Sequence, residues 1–126
     1  SELTSGLYST GEMGHELKEQ SLILTTSEGL VVLTGCAHPG IVNIVRKAGE
    51  IRPGEPVYLV LGGFHLAWST TAHIKAVIDD LRQLGVINVA PSHCSGDESR
   101  KLFKKAYGDH YIESGAGKTV AFRAAP

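Results

Sequence analysis

Gly29-Leu30-Val31-Val32-Leu33-Thr34-Gly35-Cys36-Ala37-His38-Pro39-Gly40-Ile41 is the stretch on which the fold turns. Leu30 to Leu33 is apolar without alternation, the pattern of a strand covered on both faces. Ile41, Ile44, Val45 and Ala48 then fall on one helical stripe, with Pro39 at a first-turn position and Gly49 as its stop. A buried strand, a small-residue turn bearing Cys36 and His38, and a short helix make the repeating unit of an α/β sheet.

Upstream, Leu22-Ile23-Leu24 is separated from this strand by Thr26-Ser27-Glu28-Gly29, which predicts a hairpin. Residues 1–20 are polar and Gly-rich, lack any strand or helix period, and read as an irregular leader. Downstream, Val57-Tyr58-Leu59-Val60-Leu61 is a second continuous apolar strand, closed by Gly62-Gly63. Ile74, Val77, Ile78 and Leu81 form the next helical stripe, with Ser69-Thr70-Thr71 as cap candidates and Gly85 as the stop. Val86-Ile87-Asn88-Val89-Ala90 is a third such strand. Ser95 and Glu98 have capping-box spacing, and Leu102, Phe103, Ala106 and Tyr107 supply the face of a third helix ending at Gly108. Short strands are expected around Tyr111-Ile112 and from Thr119 to Phe122. The predicted order is β-β-α-β-α-β-α-β-β, an α/β fold with a mainly parallel central sheet and room for antiparallel late strands at an edge.

A chain of 126 residues fits one domain or a large fragment of one. Its 12 Lys+Arg against 13 Asp+Glu, with no basic run, argue against duplex nucleic acid and anionic membrane surfaces as partners. No apolar run approaches the ~20 residues of a membrane span, so a soluble chain is expected. Two cysteines, Cys36 and Cys94, are too few for a disulfide scaffold and fit a reducing, cytoplasmic compartment or a place in a site. Gly115-Ala116-Gly117-Lys118-Thr119 is not a phosphate loop: Ile112 stands where the first glycine is needed, and β-like residues come next. The chain has no Gly-x-Ser-x-Gly elbow, which disfavours a serine hydrolase.

The six histidines sort by position. His38, His65 and His93 each follow a predicted strand end, and both cysteines stand beside them. In an open sheet, groups just past the carboxyl ends of neighbouring parallel strands share one rim, where such folds bind ligands. Small residues at each turn (Gly35, Ala37, Gly62, Gly63, Ser92) allow close approach. Imidazole with thiolate suits zinc, and imidazole with carboxylates from elsewhere also suits manganese or iron. Taken singly, each histidine is a surface or hydrogen-bonded residue; their equivalent placement is what points to a site. His65 also fits a core histidine under a loop, and the cysteines fit small buried hydrophobes as well as ligands. His15, His73 and His110 read as bystanders, in the leader, off the helical stripe and in a turn respectively.

Gly35-Cys36-Ala37-His38-Pro39-Gly40-Ile41, Gly62-Gly63-Phe64-His65-Leu66 and Pro91-Ser92-His93-Cys94-Ser95-Gly96 together resemble the C-terminal half of the metallo-β-lactamase superfamily. Within it they resemble the branch of the methanopterin-pathway dihydropterin ribofuranosyl-aminobenzene phosphate synthases, and Glu19-Gln20-Ser21-Leu22 matches that branch as well. The resemblance implies half of an αββα sandwich, with one or two metals at the edge between two sheets and zinc the first choice of ion. It implies that His38 and His93 bind metal. Cys36 stands where many members place a bridging aspartate, and joins them as a candidate ligand. His65 is assigned to substrate or catalytic contact ahead of direct ligation. The signature His-x-His-x-Asp-His of the N-terminal half has no counterpart in the chain. The implied function is therefore the C-terminal part of a metal-dependent hydrolase acting on a phosphoester or pterin-phosphate type of small molecule, incomplete without its N-terminal half. The alternative is a non-catalytic half-domain that binds metal or a small ligand and self-associates through its uncovered sheet face. Ser1 in place of an initiating Met fits a chain with residues before it.

Overall fold

The computed structural model describes residues 2–14, 18–92 and 95–113. Six strands form one sheet in the order of the chain: β1 (Glu2–Thr4), β2 (Leu7–Ser9), β3 (Leu22–Thr26), β4 (Gly29–Thr34), β5 (Val57–Gly62) and β6 (Asn88–Pro91). Among the described residues three helices, α1 (Ile41–Ile51), α2 (Thr71–Gln83) and α3 (Asp97–Tyr107), follow β4, β5 and β6 in turn, and a 3-10 turn spans Gly108–His110. The α/β class is as expected. The strand mix differs from the expectation: β1 to β4 are antiparallel, and only β4, β5 and β6 are parallel.

Connection length decides this division. Two residues between β3 and β4 can only reverse the chain, whereas α1 and α2 return it to start each next strand in the same direction. The reversal is fixed by Thr26, whose hydroxyl accepts from the N–H groups of Glu28 and Gly29 and donates to the Gly29 carbonyl at 2.6 Å. The supposedly irregular leader contributes β1 and β2, a correction to the reading of residues 1–20. Three-residue strands are too short to show a period, and pairing with β3 (Leu7 opposite Leu24, Ser9 opposite Leu22) supplies the order their own sequence lacks. The expected strand near Tyr111 reduces to a single parallel bridge with Val89. Thr119 to Phe122 lies outside the described residues.

All three helical stripes bury into one cluster on one side of the sheet, against Ile23, Leu30, Val32, Val60 and Val89. Each fully buried Ile, Leu or Phe in it contributes about 1.5–3 kcal/mol. The other side carries Val31, Leu59 and Ala90, with Leu24, Leu33, Tyr58 and Leu61 partly buried around them. The helices therefore cover one face of β4 and β5, whereas the other is buried only at its centre, at Val31 and Leu59, with partly exposed leucines around it. Two predicted helix starts shift. Gly40, at φ 97°, precedes α1 without a side-chain cap, and Pro39 lies outside the helix. Gly96, at φ 93°, precedes α3. The capping box of Ser95 and Glu98 does not form, because Ser95 Oγ accepts from the Phe64 N–H and Glu98 accepts from the Thr71 hydroxyl. Thr70 caps α2 as expected, accepting from the His73 N–H at 3.1 Å.

Tyr107 ends α3 with its hydroxyl buried and without a hydrogen-bond partner among the described residues, and with the Arg82 guanidinium 5.5 Å from its ring centre. Burial pushes the hydroxyl up to about 12, against the opposing pull of Arg82. The folded value exceeds the unfolded one of 10.0, so this contribution to stability is complete below the unfolded value and declines as pH rises through the folded one. Urea titrations of Tyr107→Phe are expected to show no loss at neutral pH, since no hydrogen bond is removed, and a shallower alkaline decline than the parent. An alkaline decline identical to the parent's would contradict the assignment.

Candidate metal and substrate site

The carboxyl ends of β4, β5 and β6 meet in one rim, sewn together by backbone. The Gly63 N–H donates to Gly35 O at 2.7 Å, the Ser92 N–H to Gly62 O at 2.8 Å, and the Gly40 N–H to Ala37 O at 2.9 Å. Glycines allow this approach. A Cβ on Gly96 would lie 2.6 Å from Ala67 Cα, so the loop after His65 packs directly on the segment before α3. Phe64, beneath that loop, is buried and meets Phe103 edge to face at 5.2 Å between ring centres.

Among the described residues, Ala37 (φ 59°) and His65 (φ 54°) are the non-glycine residues in the left-handed region. Both belong to the rim turns. Such backbone costs ~1–3 kcal/mol per residue and persists where neighbours over-determine it, most often at functional sites. Here it brings the His38 and His65 rings to 4.5 Å between centres, tilted by 56°. Both histidines are exposed at the rim.

Glu19 completes this group. A two-way backbone pairing with Met13, at 2.9 and 3.0 Å, anchors Glu19, which stands just before β3 where the antiparallel register with β4 (Leu22 opposite Leu33) leads to the rim. One carboxylate oxygen of Glu19 accepts the backbone N–H of His38 and lies 3.0 Å from His38 Nδ1. A carboxylate only accepts, so in a neutral His38 ring this contact calls for the hydrogen on Nδ1, which leaves the lone pair on Nε2. Strand ends and spacing do not single out Glu19 for chemistry. It lies nineteen residues before its partner, and the only signal in the sequence is its place in the Glu19-Gln20-Ser21-Leu22 match.

A cleft of about 390 Å³ opens beside the two rings, lined by Phe64 and by Arg46 of α1 and His73 and Asp80 of α2. His73, read as a bystander, therefore borders the site. His110, also read as solvated, has Nδ1 3.0 Å from Asn88 Oδ1. Cys36 is an exposed free thiol on the His38 turn. His93, Cys94 and His15 lie outside the described residues.

Among the described residues, no group of three or more His, Cys, Asp or Glu side chains converges in a metal-holding arrangement. The chemistry of the donors nonetheless fits part of such a site. His38 has one nitrogen held by a carboxylate and the other available, the usual state of a metal-binding imidazole. A four-coordinate zinc needs more donors than His38, His65 and Cys36 provide. None of the described helices is long and apolar enough to cross a membrane.

No family model matches the chain. It is 36% identical, over 104 residues and 82% of its length, to 7,8-dihydropterin-6-methyl-4-(β-D-ribofuranosyl)-aminobenzene-5′-phosphate synthase of Methanocaldococcus jannaschii, and covers 35% of that protein. An uncharacterised protein of the same organism is 29% identical over 93 residues, 71% of this chain and 33% of that one. The chain thus spans about a third of each curated relative. A crystal structure described as a metal-dependent hydrolase of the β-lactamase superfamily superimposes with a TM-score of 0.85 at 28% identity, over 98% of this chain and 56% of that one.

Proposed function

We infer that this chain, which has the fold of the metallo-β-lactamase superfamily and resembles its dihydropterin-phosphate synthase branch, supplies the C-terminal half of a metal-dependent hydrolase site. The observation that carries this reading is the His38–His65 ring pair held at the rim, with Glu19 fixed on Nδ1 of His38.

In this reading His38 offers Nε2 as a ligand, joined by His93 and Cys36, and zinc is the first choice of ion with manganese or iron as alternatives. A divalent ion in such a site supplies Lewis acidity and lowers the pKa of water to ~7. The chain's own share is binding and orientation. His65, held at φ 54° beside His38, presents a ring that can hydrogen-bond a substrate oxygen and move a proton. Arg46 in the cleft lining offers a cation to a phosphate. This favours a phosphoester or pterin-phosphate type of small molecule. The remaining ligands come from an N-terminal half carrying the His-x-His-x-Asp-His signature.

A second reading, a non-catalytic half-domain that self-associates, draws support from the sheet side away from the helices. There Leu22 is 39% exposed and Leu24, Leu33 and Leu61 are only partly buried. One experiment separates the two. Metal content, phosphoesterase activity and sedimentation are measured on this chain and on a longer protein that includes the N-terminal half. The first reading expects weak metal binding and no turnover by the chain alone, and activity in the longer protein. A longer protein inactive with zinc, manganese and iron overturns it, and a self-associated, inactive chain then leaves the second.

A further inference from the structure

We propose that Glu19 is the positioning residue of the rim: it locks His38 as the Nδ1–H tautomer and aims Nε2 at the ligand. The proposal rests on the reading of His38 as a ligand residue, and adds a residue contributed by a different part of the chain.

The geometry is specific. The same oxygen of Glu19 receives both the backbone N–H and the ring Nδ1–H of His38, so one carboxylate sets the turn and the ring together. Two contacts on one residue restrict rotation about both side-chain torsions, which a single ring hydrogen bond would not. The carboxylate is itself held. Its backbone is paired in both directions with Met13, and Gly35 lies beside its other oxygen. Its side chain is 18% exposed against 32% for that of His38, so it lies beneath the imidazole with less access to water. Glu19 is not itself part of the cleft lining and acts through His38, which is.

The test compares Glu19→Gln and Glu19→Leu with the parent chain, by two readouts. The first uses metal-free protein: two-bond proton–nitrogen correlation spectra, recorded well above the ordinary histidine pKa of ~6.5, report which nitrogen of His38 bears hydrogen. The expected result is Nδ1–H in the parent and in Glu19→Gln, whose amide oxygen can still accept, and loss of that form in Glu19→Leu. The second readout is Co²⁺ titration followed by visible absorption. The expected loss of affinity is about 10–100-fold for Glu19→Leu, with partial recovery in Glu19→Gln. Circular dichroism on each variant confirms that the fold is retained. A parent His38 in the Nε2–H form, or a Glu19→Leu variant that keeps the Nδ1–H form, overturns the proposal. If the parent takes up no Co²⁺, the ligand reading of His38 fails, and the tautomer spectra still decide the role of Glu19.

Discussion

Alanine in place of Gly62 is expected to abolish stable folding. Gly62 ends β5 opposite Thr34 at φ 126°, and a Cβ there would stand 2.0 Å from Thr34 O and 2.9 Å from Thr34 C. Both obstructing atoms are backbone, so no rotamer change relieves the overlap. The β4–β5 ladder must open at its end. The cost is at least ~4 kcal/mol, in the range reached only by severe core or backbone disruption, and it is a large share of the roughly 5–15 kcal/mol that holds a domain together. Gly85→Ala is the control, because it has the same left-handed requirement (φ 80°) but open space around the added methyl. It should cost only ~1–2 kcal/mol. Urea denaturation of the two variants measures the difference. Replacing Thr34 by glycine should not rescue Gly62→Ala, since the clash is with the Thr34 backbone. A Gly62→Ala chain within ~1 kcal/mol of the parent would mean that the rim adjusts freely.

That rim was legible in the sequence because strand ends are. Leu30 to Leu33, Val57 to Leu61 and Val86 to Ala90 are uninterrupted or nearly uninterrupted apolar runs, and the residues just past each run have to emerge at the same edge of a parallel sheet. That rule finds His38 and His65, and the fold brings their rings together. The helical stripes were legible because burial imposes their period: Ile41, Ile44, Val45 and Ala48 are the buried residues of α1. Features set by tertiary pairing were not legible. Leu7-Tyr8-Ser9 has no period of its own and becomes a strand only against Leu22-Ile23-Leu24. Ser95 has the spacing of a cap, yet the loop from β5 lies close enough for the Phe64 N–H to reach it first. Glu19 meets His38 because the antiparallel β3–β4 register, with Leu22 opposite Leu33, carries the residues just before β3 to the carboxyl end of β4. Each of these depends on contacts that no local window of sequence contains.

Phe103→Ala is expected to cost about 3–5 kcal/mol, the range for an aromatic removed from a closed core. Phe103 is 0% exposed, stands edge to face with Phe64 at 5.2 Å and 69°, and stacks on Tyr107 at 6.3 Å. The site can collapse little, because the β5 loop on one side is tied to Ser95 and packed on Gly96. Phe103→Leu, which keeps most of the apolar volume, should cost less than half as much. The larger truncation also loosens the site. Phe64 directly precedes His65, whose left-handed backbone is maintained only by its surroundings. A cavity against the Phe64 ring removes one of those constraints while leaving Glu19 and His38 untouched. Urea denaturation gives the stability loss, and His65 amide exchange under conditions where the variant is still folded gives the local effect. Faster exchange at His65 than at Ile44, beyond the change in global stability, is the expected signature. Equal acceleration at both positions would show that Phe103 supports the fold as a whole and has no separate hold on the rim.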